Sequence, residues 1–112
     1  MSFTPFDVVV VPFPYSDQLA EKRRPALVVS ASGLDVDLGR LWVVMITSDR
    51  GQRVRGDAPV SRLDAAGLPA ASIVRASKIA TIDVERVVRR AGRLARVDQE
   101  AAMRVLRICA GF

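Results

Sequence analysis

The chain contains no histidine and only one cysteine, Cys109. Without histidine it has no Ser-His-Asp triad, no imidazole zinc site and no catalytic site that relies on paired imidazoles. A single cysteine forms neither an internal disulfide nor a cysteine metal cluster. Proton transfer must therefore use carboxylates, Lys, Tyr, Arg, the substrate or water, and the sequence predicts no metal site and no cofactor.

Long hydrophobic runs are also missing. The apolar run 8–13 is interrupted by Pro12, and the run 41–46 is no longer, whereas a membrane-spanning helix needs about 20 apolar residues. Residues 1–7 include Asp7 and no basic residue, but an export signal opens with positive charge. We therefore expect no membrane association and a location in the cytoplasm.

What the sequence does have is a hydrophobic half and an excess of arginine. With 112 residues, 50% of them hydrophobic, we expect one domain over 1–112 with one modest core. The net charge of +5 arises entirely in 75–112, which carry nine basic and four acidic residues. Such a basic segment suggests an anionic partner such as nucleic acid. However, 15 of the 17 basic residues are Arg, which a GC-rich genome alone would produce.

Short apolar segments separated by turn signals predict a mainly β fold. β-Branched residues favour strands, and proline marks strand ends or edges. The predicted strands are 7–13, 26–30, 41–47, 58–61 as an edge strand, 72–79, and 89–94 with a possible bulge at Gly92. Between them we predict loops at 15–24, 32–39 and 48–57, a turn at 66–69 and a single helical turn at 84–87.

One amphipathic helix is predicted at the end of the chain. Ala102, Val105, Leu106 and Cys109 follow at the spacing i, i+3, i+4 and i+7, which places them on one helix face. Asp98 is a plausible N-cap. Five or six short strands with one terminal helix indicate a small, strongly bent antiparallel barrel.

Three polar stretches interrupt or end the predicted strands, and they contain the candidate site residues: Arg23 and Arg24 before Pro25, Thr47 and Ser48, and Arg75, Ser77 and Lys78. A guanidinium offers a planar pair of donors to a phosphate, and hydroxyls can bind an oxyanion or a ribose hydroxyl. Period-two alternation would place Arg75 and Ser77 on one face. Each stretch also has a simpler explanation, as a solvated loop, a capped strand end or edge protection.

Taken together, these stretches resemble the MazF/PemK/Kid family of bacterial toxin–antitoxin ribonucleases. The resemblance covers nearly the whole chain in order and spacing. It rests on the segments Asp-Val-Val-Val-Val-Pro-Phe-Pro (7–14), Arg-Pro-Ala-Leu-Val-Val (24–29), Ile-Thr-Ser (46–48), Ser-Ile-Val-Arg (72–75) and Lys-Ile-Ala-Thr-Ile-Asp (78–83). It implies an SH3-like antiparallel barrel of the MazF/Kid/CcdB type with a C-terminal helix, a homodimer, single-stranded RNA as substrate and a cognate antitoxin partner.

The resemblance also implies the site residues. Arg24 and Thr47 correspond to the family's catalytic arginine and hydroxyl, with Ser48 beside them, and Arg75 matches an arginine that some members use. Ser77, Lys78 and Arg23 are expected to support RNA binding. The chain departs from the family pattern in two places: Ser77 stands where some members have an acid, and no histidine is present in the first loop.

RNA supplies its own nucleophile, so the residues predict a metal-independent reaction. In this hypothesis the 2′-hydroxyl attacks the adjacent phosphate, Arg24 stabilises the charge that develops and Thr47 aligns the reacting groups. The general acid and base stay open, with Asp17, Glu21 and Asp49 in the neighbouring loops as fallback bases. Two alternatives are a CcdB-like gyrase poison on the same barrel and a non-catalytic nucleic-acid-binding barrel.

Overall fold

Six strands form one antiparallel sheet in the computed structural model, which describes residues 2–13 and 22–112. The strands are β1 (Asp7–Phe13), β2 (Lys22–Val28), β3 (Arg40–Ser48), β4 (Asp57–Pro59), β5 (Ser72–Asp83) and β6 (Arg89–Arg93). The helices are α1 (Leu34–Leu38), α2 (Leu63–Ala66) and α3 (Arg96–Ala110), and a 3₁₀ turn spans Val84–Arg86. The order across the sheet is β4-β5-β3-β2-β1-β6. The predicted mainly β fold with a terminal helix is confirmed.

Both faces of this sheet are covered by apolar side chains, because successive residues of a strand point to opposite faces. On one face the first core packs against α2 and α3 and includes Val8, Leu27, Val44, Ile46 and Ala102. On the other face the second core is formed by Phe3, Val9, Val11, Ala26, Val28, Leu41, Val43 and Met45. Double-sided burial explains why β1 and β3 read as continuous apolar runs rather than alternating ones.

The strand predictions agree best where an apolar run ends at a proline or a polar cluster. The bounds of β1 match the prediction, and β3 is one residue longer at each end. The short strand β4 lies at the sheet edge, as predicted from Pro59. A central strand forms hydrogen bonds to a neighbour on each side, and proline has no N–H to donate to one of them. A register shift between Val8 and Val9 confirms the predicted bulge in β6, where Val8 pairs with Gly92 and Val9 with Arg90.

Two short helices lie in segments predicted as irregular. Helix α1 falls inside the predicted loop 32–39, and α2 ends at Ala66, the first residue of the predicted turn at 66–69. With five and four residues, they are too short to show a helical periodicity. Residues 15–21 of the first predicted loop lie outside the part of the chain that the structure describes, and β2 already begins at Lys22, earlier than predicted.

The terminal helix is confirmed, but its predicted cap is wrong. Ala95 occupies the N-cap position, and Asp98 lies within the first turn of α3. The buried Asp98 carboxylate instead accepts hydrogen bonds from the backbone N–H groups of Ser61 and Arg62, at 2.9 Å each, and from the Ser61 hydroxyl at 2.8 Å. Asp98 therefore fastens α3 to the segment before α2. None of the described helices is long and apolar enough to span a membrane.

Candidate active site

Arg24 and Thr47 lie on the same face of the sheet, the face that carries the second core. Strands β2 and β3 pair in a register that joins Ala26 to Met45 and Val28 to Val43. Arg24 lies two residues beyond Ala26 in β2, and Thr47 lies two residues beyond Met45 in β3. Because alternate residues share a face, both side chains lie on the side of Ala26 and Met45, beyond the end of the second core.

The hydrogen-bonded ladder between β2 and β3 ends just before these two residues. Its last pair is Ala26 with Met45, and the next residue of β2 is Pro25, which has no N–H to donate. On their outer sides the strands stay paired, with Arg24 opposite Val11 and Thr47 opposite Ile73. Within the described residues, β2 and β3 are therefore not paired with each other beyond Ala26 and Met45.

Their exposure suits a binding role. Arg24 is exposed and has no ion-pair partner among residues 2–13 and 22–112, whereas Thr47 is half-buried. A guanidinium with all its donors available can bind an anion bidentately, and a neighbouring hydroxyl can donate or accept a hydrogen bond. Together they offer complementary groups to a phosphodiester and the adjacent ribose.

Arg75 lies on the same face, two pairs further along the β3–β5 ladder. It stands opposite Met45, while Thr47 stands opposite Ile73, so Arg75 and Thr47 are diagonal neighbours about 7–8 Å apart between Cα atoms. The side chain of Arg75 is only 21% exposed. The structure therefore brings three of the predicted residues, Arg24, Thr47 and Arg75, to one region of one face.

The structure adds an acidic residue that sequence reasoning missed. Asp57 of β4 stands opposite Arg75, and its carboxylate accepts two hydrogen bonds, from Nε to Oδ1 at 3.0 Å and from Nη2 to Oδ2 at 2.9 Å. The Asp57 side chain is 1% exposed. Hydrogen bonding from Arg75 lowers the pKa of Asp57 below its ordinary value, although burial opposes this shift. The same contact raises the pKa of Arg75.

The other predicted residues are not brought to this face. Ser48 pairs with Ser72, and Arg23 pairs with Pro12, so both alternate to the side opposite their neighbours Thr47 and Arg24. Lys78 is exposed and lies in an irregular part of β5. The structure thus separates Ser48 and Arg23 from the group around Arg24.

Ser77 departs from the expected alternation because β5 is bulged. Met45 pairs with Arg75 but the adjacent Val44 pairs with Ile79, so residues 76–78 are inserted at this register shift. Ser77 lines an open groove of about 420 Å³ together with Arg55, Ile79 and, from α3, Ile108 and Cys109. Ser77 therefore does not follow the alternation that places Arg75 on the face of Thr47.

The fallback bases are in less favourable positions. Asp49 accepts hydrogen bonds from Arg53 at 2.9 and 3.2 Å and from the Gly51 N–H at 3.0 Å, so both of its oxygens are engaged. Asp17 and Glu21 lie outside the described residues. Among the residues that the structure describes, no group of three or more His, Cys, Asp or Glu side chains is arranged to hold a metal ion.

One apolar surface lies away from this site. Trp42 and Ile79 are 50% and 59% exposed and line an open groove of about 290 Å³ with Ala80 and Thr81. Trp42 neighbours the second-core residue Val43 in β3 and so points to the other face. Exposed apolar side chains grouped in this way are typical of protein contact surfaces.

Comparison with known proteins agrees with this architecture. Residues 4–109 match the family model described as PemK-like, MazF-like toxin of type II toxin–antitoxin system. The sequence has no significant match among curated proteins. Among solved structures, MazF from Deinococcus radiodurans is 19% identical with a TM-score of 0.78, over 100% of this chain and 99% of that chain.

Two mycobacterial structures are similar to the same extent. The Mycobacterium tuberculosis toxin MazF-mt6 is 20% identical, with a TM-score of 0.77 over 95% of this chain and 97% of that chain. An endoribonuclease in complex with its cognate antitoxin, from mycobacterial species, is 16% identical, with a TM-score of 0.78 over 97% of this chain and 95% of that chain. At these identities the likeness establishes a common fold.

Proposed function

Because the chain belongs to the family of PemK-like, MazF-like toxins of type II toxin–antitoxin systems, we propose that it is the toxin of such a system and acts as an endoribonuclease. It cleaves single-stranded RNA at a short sequence, without a metal ion, in the cytoplasm. The observation that carries this proposal is the convergence of Arg24, Thr47 and Arg75 on one face, where the β2–β3 ladder has ended.

The reaction uses the nucleophile that RNA contains. The 2′-hydroxyl oxygen attacks the adjacent phosphorus and loses its proton, and the 5′-oxygen leaves and takes up a proton. The products are a 2′,3′-cyclic phosphate, or the 3′-phosphate formed from it, and a 5′-hydroxyl. Negative charge builds up on the phosphate oxygens in the transition state, and preorganised donors stabilise it.

The geometry suggests a division of roles among the three residues. Arg24, exposed and without an acidic partner in the described chain, supplies the positive charge that meets the scissile phosphate. Thr47, half-buried and paired with Ile73, aligns the 2′-hydroxyl or a phosphate oxygen. Arg75 adds a second guanidinium whose direction is fixed by Asp57. Arg24 and Arg75 act by charge and hydrogen bonding.

Two protein partners complete the proposal. An acidic antitoxin segment restrains the enzyme, and this is supported by the mycobacterial relative that was solved with its cognate antitoxin. The chain itself forms a homodimer. The exposed Trp42 and Ile79, on the face opposite the site, are side chains that a protein interface would stabilise by removing them from water.

The test is to incubate the purified protein with total RNA in EDTA and map the new 5′-hydroxyl ends. We expect fragments that share a short sequence at the cut and carry 5′-hydroxyl and 2′,3′-cyclic or 3′-phosphate ends. RNA that stays intact while DNA gyrase is inhibited would replace this proposal with a gyrase poison. Salt-sensitive RNA binding without any fragments would indicate a non-catalytic binding protein.

A further inference from the structure

The contact between Arg75 and Asp57 has the form of a positioning device. A guanidinium has five N–H donors, and the side-on contact with Asp57 uses the Nε–H and one N–H of Nη2. Three donors remain, two on Nη1 and one on Nη2. One Nη1–H and the remaining Nη2–H form the end-on edge of the guanidinium, which can bind an anion in the same planar manner, while the other Nη1–H points back towards Cδ.

We propose that Asp57 is a positioning residue of the active site: it holds the Arg75 guanidinium so that the remaining donors point at the RNA phosphate held by Arg24 and Thr47. This inference rests on the proposed ribonuclease function. Asp57 does not touch the RNA. Both its oxygens are already engaged and its side chain is 1% exposed, so it acts only through Arg75.

The backbone around Asp57 is itself held in place, which a positioning role requires. Oδ2 accepts a second hydrogen bond, from the Val54 N–H at 2.9 Å, and the Asp57 N–H donates to the Val54 carbonyl at 3.1 Å. The preceding Gly56 carbonyl accepts from the Ala76 N–H at 3.0 Å, next to Arg75. Asp57 is therefore tied to the β3–β4 loop on one side and to the bulge of β5 on the other.

Electrostatics support a directional role. The carboxylate neutralises much of the charge of Arg75, so Arg24 supplies most of the net attraction for RNA, while Arg75 supplies donors in a fixed direction. Because Asp57 also raises the pKa of Arg75, the guanidinium keeps its proton throughout the working pH range. It serves as a hydrogen-bond donor to the transition state and does not take up the 2′-hydroxyl proton.

A merely structural ion pair that joins β4 to β5 would have different consequences, and a double-mutant cycle separates the two roles. The variants are Asp57→Asn, Arg75→Ala and the double variant, assayed on an oligoribonucleotide that carries the mapped cleavage sequence. If Asp57 acts through Arg75, we expect Asp57→Asn to lower kcat about 10–100-fold, since small misplacement of a catalytic group can cost about 10²-fold. KM should change little, and the double variant should be no slower than Arg75→Ala alone.

The matched control is Asp83→Asn. Asp83 also stands opposite an arginine across the sheet, since Arg40 of β3 pairs with it and the two side chains form an ion pair at 3.5 Å. This pair is exposed and far along β3 from Thr47, so kcat should stay at the wild-type value. Asp57→Asn with wild-type kcat, or a double variant slowed by the product of the two single effects, would overturn the positioning role.

Two further measurements keep the test valid if Asp57→Asn does not fold. Arg75→Lys keeps the positive charge but has no planar pair of donors, so its kcat should fall nearly as far as that of Arg75→Ala; wild-type kcat in this variant would refute the proposal. In the wild type, the ¹⁵Nε signal of Arg75 should shift on adding an RNA with a 2′-deoxy group at the scissile position. No shift under saturating RNA would also refute it.

The failures of the two proposals are distinguishable. A wild-type protein that cuts no RNA contradicts the ribonuclease function itself. A wild-type protein that cuts RNA, combined with independent effects of Asp57 and Arg75, contradicts only the role of Asp57.

Discussion

Arg24 of β2 and Thr47 of β3 each lie two residues beyond Ala26 and Met45, the last pair of the ladder between their strands. The two side chains thus share a face at the point where the backbone hydrogen bonding between β2 and β3 has stopped. Pro25 ends this ladder because it has no N–H. In the Arg-Pro sequence, the proline therefore ends the pairing of β2 with β3, and the arginine places a positive charge directly next to this point.

Removing either side chain should slow RNA cleavage without unfolding the protein. We expect Arg24→Ala and Thr47→Ala each to lower kcat by about 10²–10³-fold, the usual cost of one well-aimed donor to a developing oxyanion. Arg24 is exposed, so the thermal midpoint of Arg24→Ala should stay close to that of the wild type. Cleavage rates and melting curves of Arg40→Ala, which removes an exposed arginine at the other end of β3, serve as control. Wild-type cleavage rates in both Arg24→Ala and Thr47→Ala would show that these residues do not form the active site.

The salt dependence of RNA binding should distinguish the arginine from the hydroxyl. For single-stranded nucleic acid, each phosphate contact by a cation contributes about 0.7 to the slope of log K against log salt. We expect Arg24→Ala to reduce the magnitude of this slope by about 0.7, while Thr47→Ala leaves the slope unchanged. The measurement is a fluorescence anisotropy titration at several salt concentrations, with an RNA that has a 2′-deoxy group at the cut. An unchanged slope in Arg24→Ala would mean that Arg24 does not contact phosphate.

Asp57 should make the stability of the fold depend on pH. Hydrogen bonding from Arg75 lowers the pKa of Asp57 in the folded chain. A carboxyl group of this kind stabilises the fold at pH values above the pKa that it has in the unfolded chain. This contribution is lost as the pH falls through the pKa that the group has in the folded chain. Asp57→Asn should therefore reduce the free energy of unfolding by about 1–3 kcal/mol at neutral pH, and the difference from wild type should shrink below a pH of about 4.

Urea unfolding at a series of pH values measures this difference. The exposed pair of Asp83 and Arg40 provides the comparison, since surface ion pairs contribute about 0–1 kcal/mol. A wild-type advantage over Asp57→Asn that stays constant down to strongly acidic pH would show that the charge of Asp57 does not stabilise the fold.

Gly56 and Cys109 should be coupled through a close approach between the β3–β4 loop and α3. Gly56 has a φ of +95°, and a Cβ there would lie 2.5 Å from the Cys109 Sγ. Gly56→Ala should destabilise the fold by about 2–4 kcal/mol, through the left-handed backbone and the overlap together. Cys109→Ala alone should have little effect, because Cys109 is exposed.

Combining the two changes separates the two costs. In the Gly56→Ala background, Cys109→Ala should restore the part of the stability that the overlap removes, while the backbone cost stays. Free energies of unfolding of the four proteins give the coupling. Strictly additive effects would mean that α3 does not pack against the loop as the structure shows.

The sequence was most informative where one local signal is sufficient. The valine run that ends at Pro12 and Pro14 predicts β1, Pro59 predicts an edge strand, and the spacing of Ala102, Leu106 and Cys109 predicts α3. Helices α1 and α2 were missed because segments of four or five residues are too short to show the 3.6-residue periodicity of an amphipathic helix. The Asp98 side chain was assigned to the nearest helix start, but its hydrogen bonds go to Ser61 and Arg62, far away in the sequence.

The sequence by itself determined the fold class and the basic C-terminal segment, because apolar patterning and charge are local properties of the chain. The candidate residues Arg24, Thr47 and Arg75 came from the resemblance of its segments to the MazF/PemK/Kid family. Only the tertiary structure decided which candidates meet. Strand alternation places Thr47 on the face of Arg24 but turns Ser48 to the opposite face, and the bulge in β5 removes Ser77 from the alternation that includes Arg75. The pairing of Asp57 with Arg75 follows from hydrogen bonding between β4 and β5. Such pairing brings together residues that are far apart in the sequence, and no local sequence pattern specifies which residues will meet.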